Sequence, residues 1–344
     1  MPWSRFDSNY EAPAGARDIT YCAAIREAID QAMCLDPRVF CIGLDADDKF
    51  GVFGSMGNLT HPERVLGTPI AENAMTGVAL GAALAGMRPI HVHLRNDFLL
   101  VAMDQIANYV AKWQDMFDHQ VKVPLVIRSI IGRGWGCGAQ HSQSLHGLFA
   151  QIPGLKVVMP SSPYDVKGLM LAAVKDDSPV LFLEHRWLYK NTGNVPESMY
   201  TLPIGKAAHL HTGGSLTVVA TSLAAIHALK ACEIEGLDVD LIDPRTIKPL
   251  DLETILTSVH RTGRLLVVDY DFPFAGFASE VVAAVCERAH DSLRQPPQRL
   301  CFPDRGMPSS GKLERAYYPT PERIGALMRQ MILGSSIDAD SFVN

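Results

Sequence analysis

KVVMPSSPYDVKGLMLAAVKDDSPVLFLE, residues 156–184, contains two short apolar segments on either side of a helical pattern. The apolar segments 156–159 and 180–184 predict strands that are buried on both faces. Ser162, followed by Pro163 and then Asp165, is typical of a helix start because the serine side chain can bond to free backbone N–H groups. The stretch therefore predicts a strand–helix–strand unit whose two strands are parallel.

The same alternation continues in both directions along the chain. Upstream, we expect helices at 20–35, 69–86 and 98–113 and strands at 39–44, 88–93 and 124–128. Thr20 is the expected cap of the first helix, and Thr68 followed by Pro69 marks the expected start of the second. Downstream, we expect strands at 216–220, 239–242 and 265–269 and helices at 222–234, 252–259 and 277–288. The predicted fold class is α/β, with two domains that each contain a mostly parallel sheet flanked by helices.

Asn, Gly and Pro residues between positions 187 and 202 indicate a connection between the two halves. We predict an N-terminal arm at 1–18, a first domain at 19–195, a linker at 196–205, a second domain at 206–334 and a tail at 335–344. The length of 344 residues agrees with this division, since one domain typically takes about 150 residues.

Composition excludes several functional classes. The formal net charge is −6, so there is no basic field that would attract nucleic acid or anionic lipid. The apolar runs are broken well short of the roughly 20 residues that a membrane span needs, and the N-terminus resembles neither a secretory signal nor a transit peptide. The seven cysteines lack any CxxC spacing, which favours structural thiols in a reducing compartment and a cytoplasmic location.

Two residues are candidates for proton transfer. Glu72 follows Pro-Ile-Ala at the start of an apolar helix, where desolvation would raise its pKa; favourable interaction with the helix dipole is the structural alternative. His141 ends a glycine-rich loop and could move protons near neutral pH, or be a structural histidine. Cys137 in the same loop is a weaker candidate nucleophile. The sequence has no GxSxG motif, which disfavours hydrolysis through an acyl-enzyme. These residues alone predict a two-domain enzyme without naming its reaction.

Nine short segments, in order along the chain, carry a family resemblance. The sequence resembles the β subunit of thiamine-diphosphate-dependent 2-oxo acid dehydrogenase decarboxylase components, of the pyruvate, branched-chain and acetoin types. The segments are ERVLGTPIAE at 63–72, GMRPI at 86–90, AMDQ at 102–105, VPLVIR at 123–128, QHSQS at 140–144, PGLKVV at 153–158, SPYDVKG at 162–168, DPRTIKPLD at 243–251 and RTGRL at 261–265.

The resemblance implies a fold, a cofactor and partners. The first domain would be a transketolase-like pyrimidine-binding domain and the second a transketolase C-terminal-like domain. The chain would join a separate α chain in an α2β2 heterotetramer with a β–β contact, and would bind thiamine diphosphate jointly with it. The α chain would hold the diphosphate and Mg²⁺ through a GDG motif, which this sequence lacks. This chain alone should therefore be inactive.

The resemblance also implies roles for individual residues. Glu72 would bond to N1′ of the aminopyrimidine and exchange a proton with it, while Leu94 and Phe98 would contact that ring. His141 would orient the substrate and assist proton or acyl transfer. A structural K⁺ would bind main-chain carbonyls of Leu125, Ala173, Val174, Asp176 and Ser178.

Several positions depart from the family pattern. Arg95 and His146 are unusual, and we predict that they contact substrate; Arg95 could instead point into the interface between α and β chains. His91, His93 and the run Asp269–Tyr270–Asp271–Phe272 are also unusual.

The main functional hypothesis is decarboxylation of a 2-oxo acid with transfer of the acyl group to a lipoyl carrier, a lipoyl acyltransferase being the further partner. The first alternative is a split thiamine enzyme that acts without a lipoyl partner as a carboligase, a transketolase-like transferase or a non-oxidative decarboxylase. The second is a non-catalytic assembly subunit, which the presence of Glu72, Phe98 and His141 disfavours.

Overall fold

A computed structural model describes residues 16–48, 50–132 and 136–334 of the protein. Most of the predicted arm (1–15) and the predicted tail (335–344) lie outside the described residues, whereas residues 16–18 belong to the first strand. The described chain forms two compact units. Unit 1 contains residues 16–132 and 149–204, and unit 2 contains residues 136–148 and 205–334.

Unit 1 is built on a parallel sheet. Elements are numbered along the whole chain, and the strands of unit 1 are β1 (Ala16–Thr20), β2 (Val39–Gly43), β3 (Val65–Gly67), β4 (Arg88–His93), β5 (Val126–Ile131), β6 (Lys156–Val158), β7 (Val180–His185) and β8 (Thr192–Pro196). The helices are α1 (Tyr21–Leu35), α2 (Glu72–Leu84), α3 (Trp113–Met116) and α5 (Pro163–Lys175). The parallel strands follow the order β6-β7-β5-β4-β2-β3, and β1 pairs with β8 in a separate antiparallel ribbon.

Two predicted helix caps in unit 1 are confirmed. Thr20 Oγ1 accepts a bond of 3.1 Å from the Ala23 N–H at the start of α1. Ser162 Oγ accepts one of 3.0 Å from the Asp165 N–H, with Pro163 as the first residue of α5. Both helices begin where the local sequence predicts because a cap satisfies donors that the helix itself leaves free.

The predicted start of the second helix is wrong. Helix α2 begins at Glu72 rather than at Pro69, and residues 68–71 are not helical. The Thr68 N–H donates to the Gly43 carbonyl at 3.1 Å, which ties this stretch to the end of β2. Because residue 68 is bonded to the neighbouring strand, the helix begins further along the chain, with Glu72 as its first residue.

The predicted long helix at 98–113 is also wrong. A 3₁₀ turn covers Asn96–Leu100, a π-helix covers Asp104–Val110, and α3 follows as a single short turn. The Ala111 N–H bonds to the Ile106 carbonyl five residues earlier, at 3.0 Å. This wider turn is the local feature that breaks the regular helix.

Unit 2 has a smaller sheet of the same class. The strands of this sheet are β9 (Ala208–His211), β10 (Leu216–Ala220), β11 (Val239–Asp243), β13 (Leu265–Val268) and β14 (Gln298–Leu300). The short strand β12 (Thr246–Lys248) is not part of it. The helices of unit 2 are α6 (Ser222–Glu235), α7 (Leu252–Thr262), α8 (Phe277–Ala289), α9 (Gly311–Tyr317) and α10 (Pro321–Leu333), and α4 (His146–Ala150) starts in its segment 136–148. The order is β14-β13-β10-β11-β9, parallel except for β9.

Each unit thus has the predicted α/β character. None of the helices in the described ranges is both long enough and apolar enough to cross a membrane. All seven cysteines are free thiols. In parallel sheets of this kind, ligands bind beyond the carboxyl ends of the strands, which directs attention to the ends of β2 and β4.

Candidate functional site

A small pocket lies at the carboxyl ends of β2 and β4, next to the first turn of α2. It brings together two residues that the sequence singled out, Glu72 and Leu94. Its lining consists of Leu44, Thr68, Pro69, Ile70, Ala71, Glu72, Met75, His91, Val92, His93 and Leu94. Most of this wall is apolar, and a few polar side chains lie among the apolar ones.

Glu72 is the first residue of α2 and is half-buried. Its backbone carbonyl accepts a bond of 2.8 Å from Thr76 Oγ1, which fixes the first turn of the helix. Within the described part of the chain, no hydrogen bond or ion pair engages its carboxylate. The carboxylate is therefore available to a ligand in the pocket.

His91 contacts this first turn of α2 through the side chain of Thr76. Its Nδ1 lies 3.1 Å from the Ile42 carbonyl and its Nε2 lies 3.2 Å from Thr76 Oγ1. Burial lowers the pKa of His91 to about 4. The ring is therefore neutral at pH 7, with Nδ1 donating to the carbonyl. The sequence marked His91 only as unusual; its link to Glu72 through Thr76 could not be read from it.

His93 ends β4 and forms another wall of the pocket. Burial, together with the neighbouring His91, lowers its pKa to about 3. The two imidazoles meet edge to face with ring centroids 5.5 Å apart. Two neutral rings therefore line the pocket, and neither carries a charge at neutral pH.

Arg95 and Phe98 follow Leu94 in the chain. Arg95 is mostly buried: its Nε lies 3.4 Å from Asp97 Oδ2, and its Nη2 donates to the Gly132 carbonyl. These contacts hold the guanidinium on unit 1 itself. Phe98 is half-buried in the 3₁₀ turn after β4.

His141 and His146 belong to unit 2. His141 is half-buried at the end of a 3₁₀ turn, where its backbone N–H donates to the Gly138 carbonyl at 3.3 Å. His146 is buried, with Nε2 at 2.9 Å from Asp269 Oδ1. Nε2 of His146 is therefore paired inside unit 2.

Four of the five residues predicted to bind K⁺ lie in or just after the last turn of α5, and the fifth, Leu125, directly precedes β5. Val174 O and Asp176 O accept bonds of 2.9 and 3.1 Å from Arg88 Nη1, and Leu125 O accepts one of 2.9 Å from the Val180 N–H. A carbonyl oxygen has two lone pairs, so these oxygens keep one acceptor position each.

Two protein-family models match successive parts of the chain. The model for the transketolase pyrimidine-binding domain matches residues 17–192. The model for the transketolase C-terminal domain matches residues 205–324. Together they account for both α/β sheets.

Curated relatives extend over nearly the whole chain. The β subunit of acetoin:2,6-dichlorophenolindophenol oxidoreductase from Cupriavidus necator is 41% identical over 93% of this chain and 99% of its own length. The 2-oxoisovalerate dehydrogenase subunit beta from Bacillus subtilis is 40% identical over 91% of this chain and 98% of its own. The mitochondrial pyruvate dehydrogenase E1 component subunit beta-1 from Arabidopsis thaliana is 39% identical, covering 90% of this chain and 88% of its own.

A solved structure described as a split-gene transketolase, an inactive β4 tetramer, also matches. The TM-score is 0.73 at 22% identity, covering 92% of this chain and 99% of the other. At that identity the likeness establishes the fold alone.

Proposed function

The chain belongs to the transketolase-like family of 2-oxo acid dehydrogenase β subunits, and we propose that it acts with an α chain to decarboxylate a 2-oxo acid and pass the acyl group to a lipoyl carrier. The observation that carries this proposal is the 41% identity over 93% of the chain, with Glu72 at the start of α2 in a mostly apolar pocket. The carboligase alternative is not favoured, because the relatives described above are named as dehydrogenase or oxidoreductase subunits.

The chemistry of the pocket lining, though not its volume in this structure, suits the aminopyrimidine end of thiamine diphosphate. The Glu72 carboxylate has no partner among the described residues and lies in a largely apolar lining, which matches a ring that has a basic nitrogen on its edge. When bound, this cofactor supplies a carbon nucleophile and a positively charged ring that accepts electrons as carbon dioxide leaves. Leu94 would contact the ring, and Phe98 would cover it from the turn that follows β4.

Glu72 would hold a proton against N1′ of the ring and take it back in each cycle. Thr76 and His91 would keep the carboxylate in place, since they brace the turn that bears it. His141 would orient the substrate and move a proton during acyl transfer. Arg95 is held by Asp97 and Gly132, so its predicted contact with substrate requires a donor that these bonds leave free.

We further propose that activity requires the α chain, which would hold the diphosphate and Mg²⁺. The absence of a GDG motif from this sequence supports that division of labour. The β–β contact and the lipoyl acyltransferase are the other proposed partners.

We also propose that K⁺ binds the carbonyls of Leu125, Ala173, Val174, Asp176 and Ser178. The end of α5 favours a cation because the helix dipole is negative there, and the carbonyls bonded to Arg88 keep a second lone pair. Melting curves in potassium, sodium and choline chloride test this. Stabilisation by potassium above that by sodium is expected, and identical curves would remove the ion.

The activity itself is tested by co-expressing the chain with the α chain from the same source. The purified pair is supplied with thiamine diphosphate and Mg²⁺, and pyruvate, 2-oxoisovalerate and acetoin are compared as substrates by dye reduction. Reductive acylation of an isolated lipoyl domain, followed by mass spectrometry, is the decisive readout. Carboligation products from a 2-oxo acid without any lipoyl acylation would replace the proposal with the alternative.

A further inference from the structure

Two of the unusual sequence features meet inside unit 2. His146, at the start of α4, lies against Asp269 and Asp271, which directly follow β13. His146 Nε2 is 2.9 Å from Asp269 Oδ1 and 3.8 Å from Asp271 Oδ2. All three side chains are buried.

Both carboxylates are also fixed by other donors. Asp269 Oδ1 accepts a bond of 2.8 Å from Thr221 Oγ1. Asp271 Oδ1 accepts one of 2.7 Å from the Phe272 N–H, and its Oδ2 accepts one of 3.2 Å from the Gly147 N–H. The two carboxylates, which directly follow β13, therefore contact the first two residues of α4.

The fit at Gly147 is close. A Cβ added there would lie 3.0 Å from Asp271 Oδ2, 3.1 Å from the Phe277 nitrogen and 3.2 Å from the Gly276 Cα. The first turn of α4 is thus in direct contact with the segment that begins α8. His141 lies five residues before His146 in the same segment of unit 2.

Charge strengthens this contact. Burial alone would lower the pKa of His146, but Asp269 and Asp271 outweigh burial and raise the pKa to about 9. Among the described residues, Cys301 also interacts electrostatically with both acids and Tyr317 with Asp271, while burial raises the pKa of Asp271 to about 6. Burial raises the pKa of both the thiol and the phenol, so both are neutral at pH 7. At that pH the positive charge facing the acids is the imidazolium of His146.

We propose that His146, Asp269 and Asp271 form a latch that positions His141 for acyl transfer. His146 is then a positioning residue rather than a substrate contact. The proposal rests on the proposed function only for the role of His141; the anchoring of the segment 139–145 stands on the geometry of unit 2.

The test uses the complex of this chain with its α chain and the variant His146→Gln. The same substitution at the exposed His260 is the matched control. We expect acyl transfer to fall about 10- to 100-fold in His146→Gln, because displacing a catalytic group by about 1 Å costs a factor of this size. Cofactor affinity should not change. Hydrogen exchange of the peptide that covers residues 139–145 should become faster in His146→Gln and stay as in wild type in His260→Gln.

A double-mutant cycle with His141→Ala separates positioning from general destabilisation. If His146 acts through His141, the double variant is no slower in acyl transfer than His141→Ala alone. In the wild type, transfer rate and protection of the segment should both fall above about pH 9, and His146→Gln should lack this step. Three outcomes would overturn the latch. They are wild-type acyl transfer and exchange in His146→Gln, multiplicative effects of the two substitutions in the cycle, and a stoichiometric metal ion that is lost on mutation of His146.

The two proposals fail in different ways. If the wild-type complex shows no acyl transfer, the proposed function is rejected, while hydrogen exchange in His146→Gln still reports on the latch. If the complex is active and the exchange of the segment is unchanged in His146→Gln, the latch alone is rejected.

Discussion

Thr76 Oγ1 lies 3.2 Å from Nε2 of His91, beneath the first turn of α2. The hydroxyl shares its one proton between this nitrogen and the backbone carbonyl of Glu72 at 2.8 Å, and His91 Nδ1 donates to the Ile42 carbonyl. A short polar chain thus connects strand β2 with the turn that carries the candidate proton-transfer residue. Since His91 is buried and neutral, this chain can hold the turn without placing a charge beside it.

Removing the hydroxyl should disturb both stability and the site. Thr76→Val leaves Nε2 of the buried His91 without a partner, so we expect a loss of about 1–3 kcal/mol in the free energy of unfolding. Urea denaturation measures this loss. In a cycle with His91→Phe, the second substitution should cost less in the Thr76→Val background, because the pair acts as a unit. Additive losses would show that the two side chains do not cooperate.

Glu72→Gln preserves the size of the side chain and removes its ionisable proton. We expect hydrogen–deuterium exchange at C2 of the bound cofactor to slow by about 10²- to 10⁴-fold, since general acid–base assistance is lost. Quenched-flow exchange followed by NMR measures the rate. Glu63→Gln, at an exposed position 66% accessible, is the matched control and should exchange like wild type. A normal rate in Glu72→Gln would remove the assigned role.

Buried and exposed ion pairs in unit 1 should differ sharply in their effect on stability. Glu184 accepts a bond of 2.9 Å from Arg128 Nη2 and one of 2.6 Å from the Tyr189 hydroxyl, and both charged groups are buried. Glu184→Gln leaves a buried guanidinium uncompensated and should cost about 3–5 kcal/mol of unfolding free energy. Arg38→Ala, which breaks an exposed pair with Asp36, should cost about 0–1 kcal/mol. Similar losses in the two variants would contradict this assignment.

His93 should make the protein sensitive to acid. Its pKa is lowered to about 3 in the folded state, below the unfolded value of 6.5, so the unfolded state binds the extra proton more readily. The stabilising contribution is complete above about pH 6.5 and is lost as the pH falls toward 3. His93→Phe should therefore lose less thermal stability than wild type between about pH 7 and pH 4.5. Parallel melting profiles for the two proteins would exclude this contribution.

Features that depend on neighbouring residues were accessible from the sequence. The Ser162 cap of α5 forms between residues three apart, so the hydroxyl, the proline and the following apolar spacing define it together. The start of α2 depends instead on the bond from Thr68 to Gly43, which local signals cannot reveal. The same applies to the π-helix at Asp104–Val110, where no proline or glycine marks the wider turn.

The candidate site shows the same division. Glu72 and Leu94 could be assigned from motifs, and the pocket brings them together. The partners of His146 could not, because 123 positions separate it from Asp269 along the chain. Both residues depart from the family pattern in the sequence, but only the fold shows that their side chains are in contact.

The segment 136–148 packs with unit 2, although unit 1 precedes and follows it in the chain. During synthesis the ribosome therefore releases this segment long before residues 265–271, which hold its end, have been made. Until those residues have been made, the segment lacks its contacts in unit 2, and the side chains of Leu145 and His146 lack the burial that they have in the folded chain. A cut at position 204 would not yield two independent halves: the upstream fragment would keep a piece that its counterpart needs. The segment is therefore synthesised before unit 1 is complete, but it can pack only after the rest of unit 2 has been made.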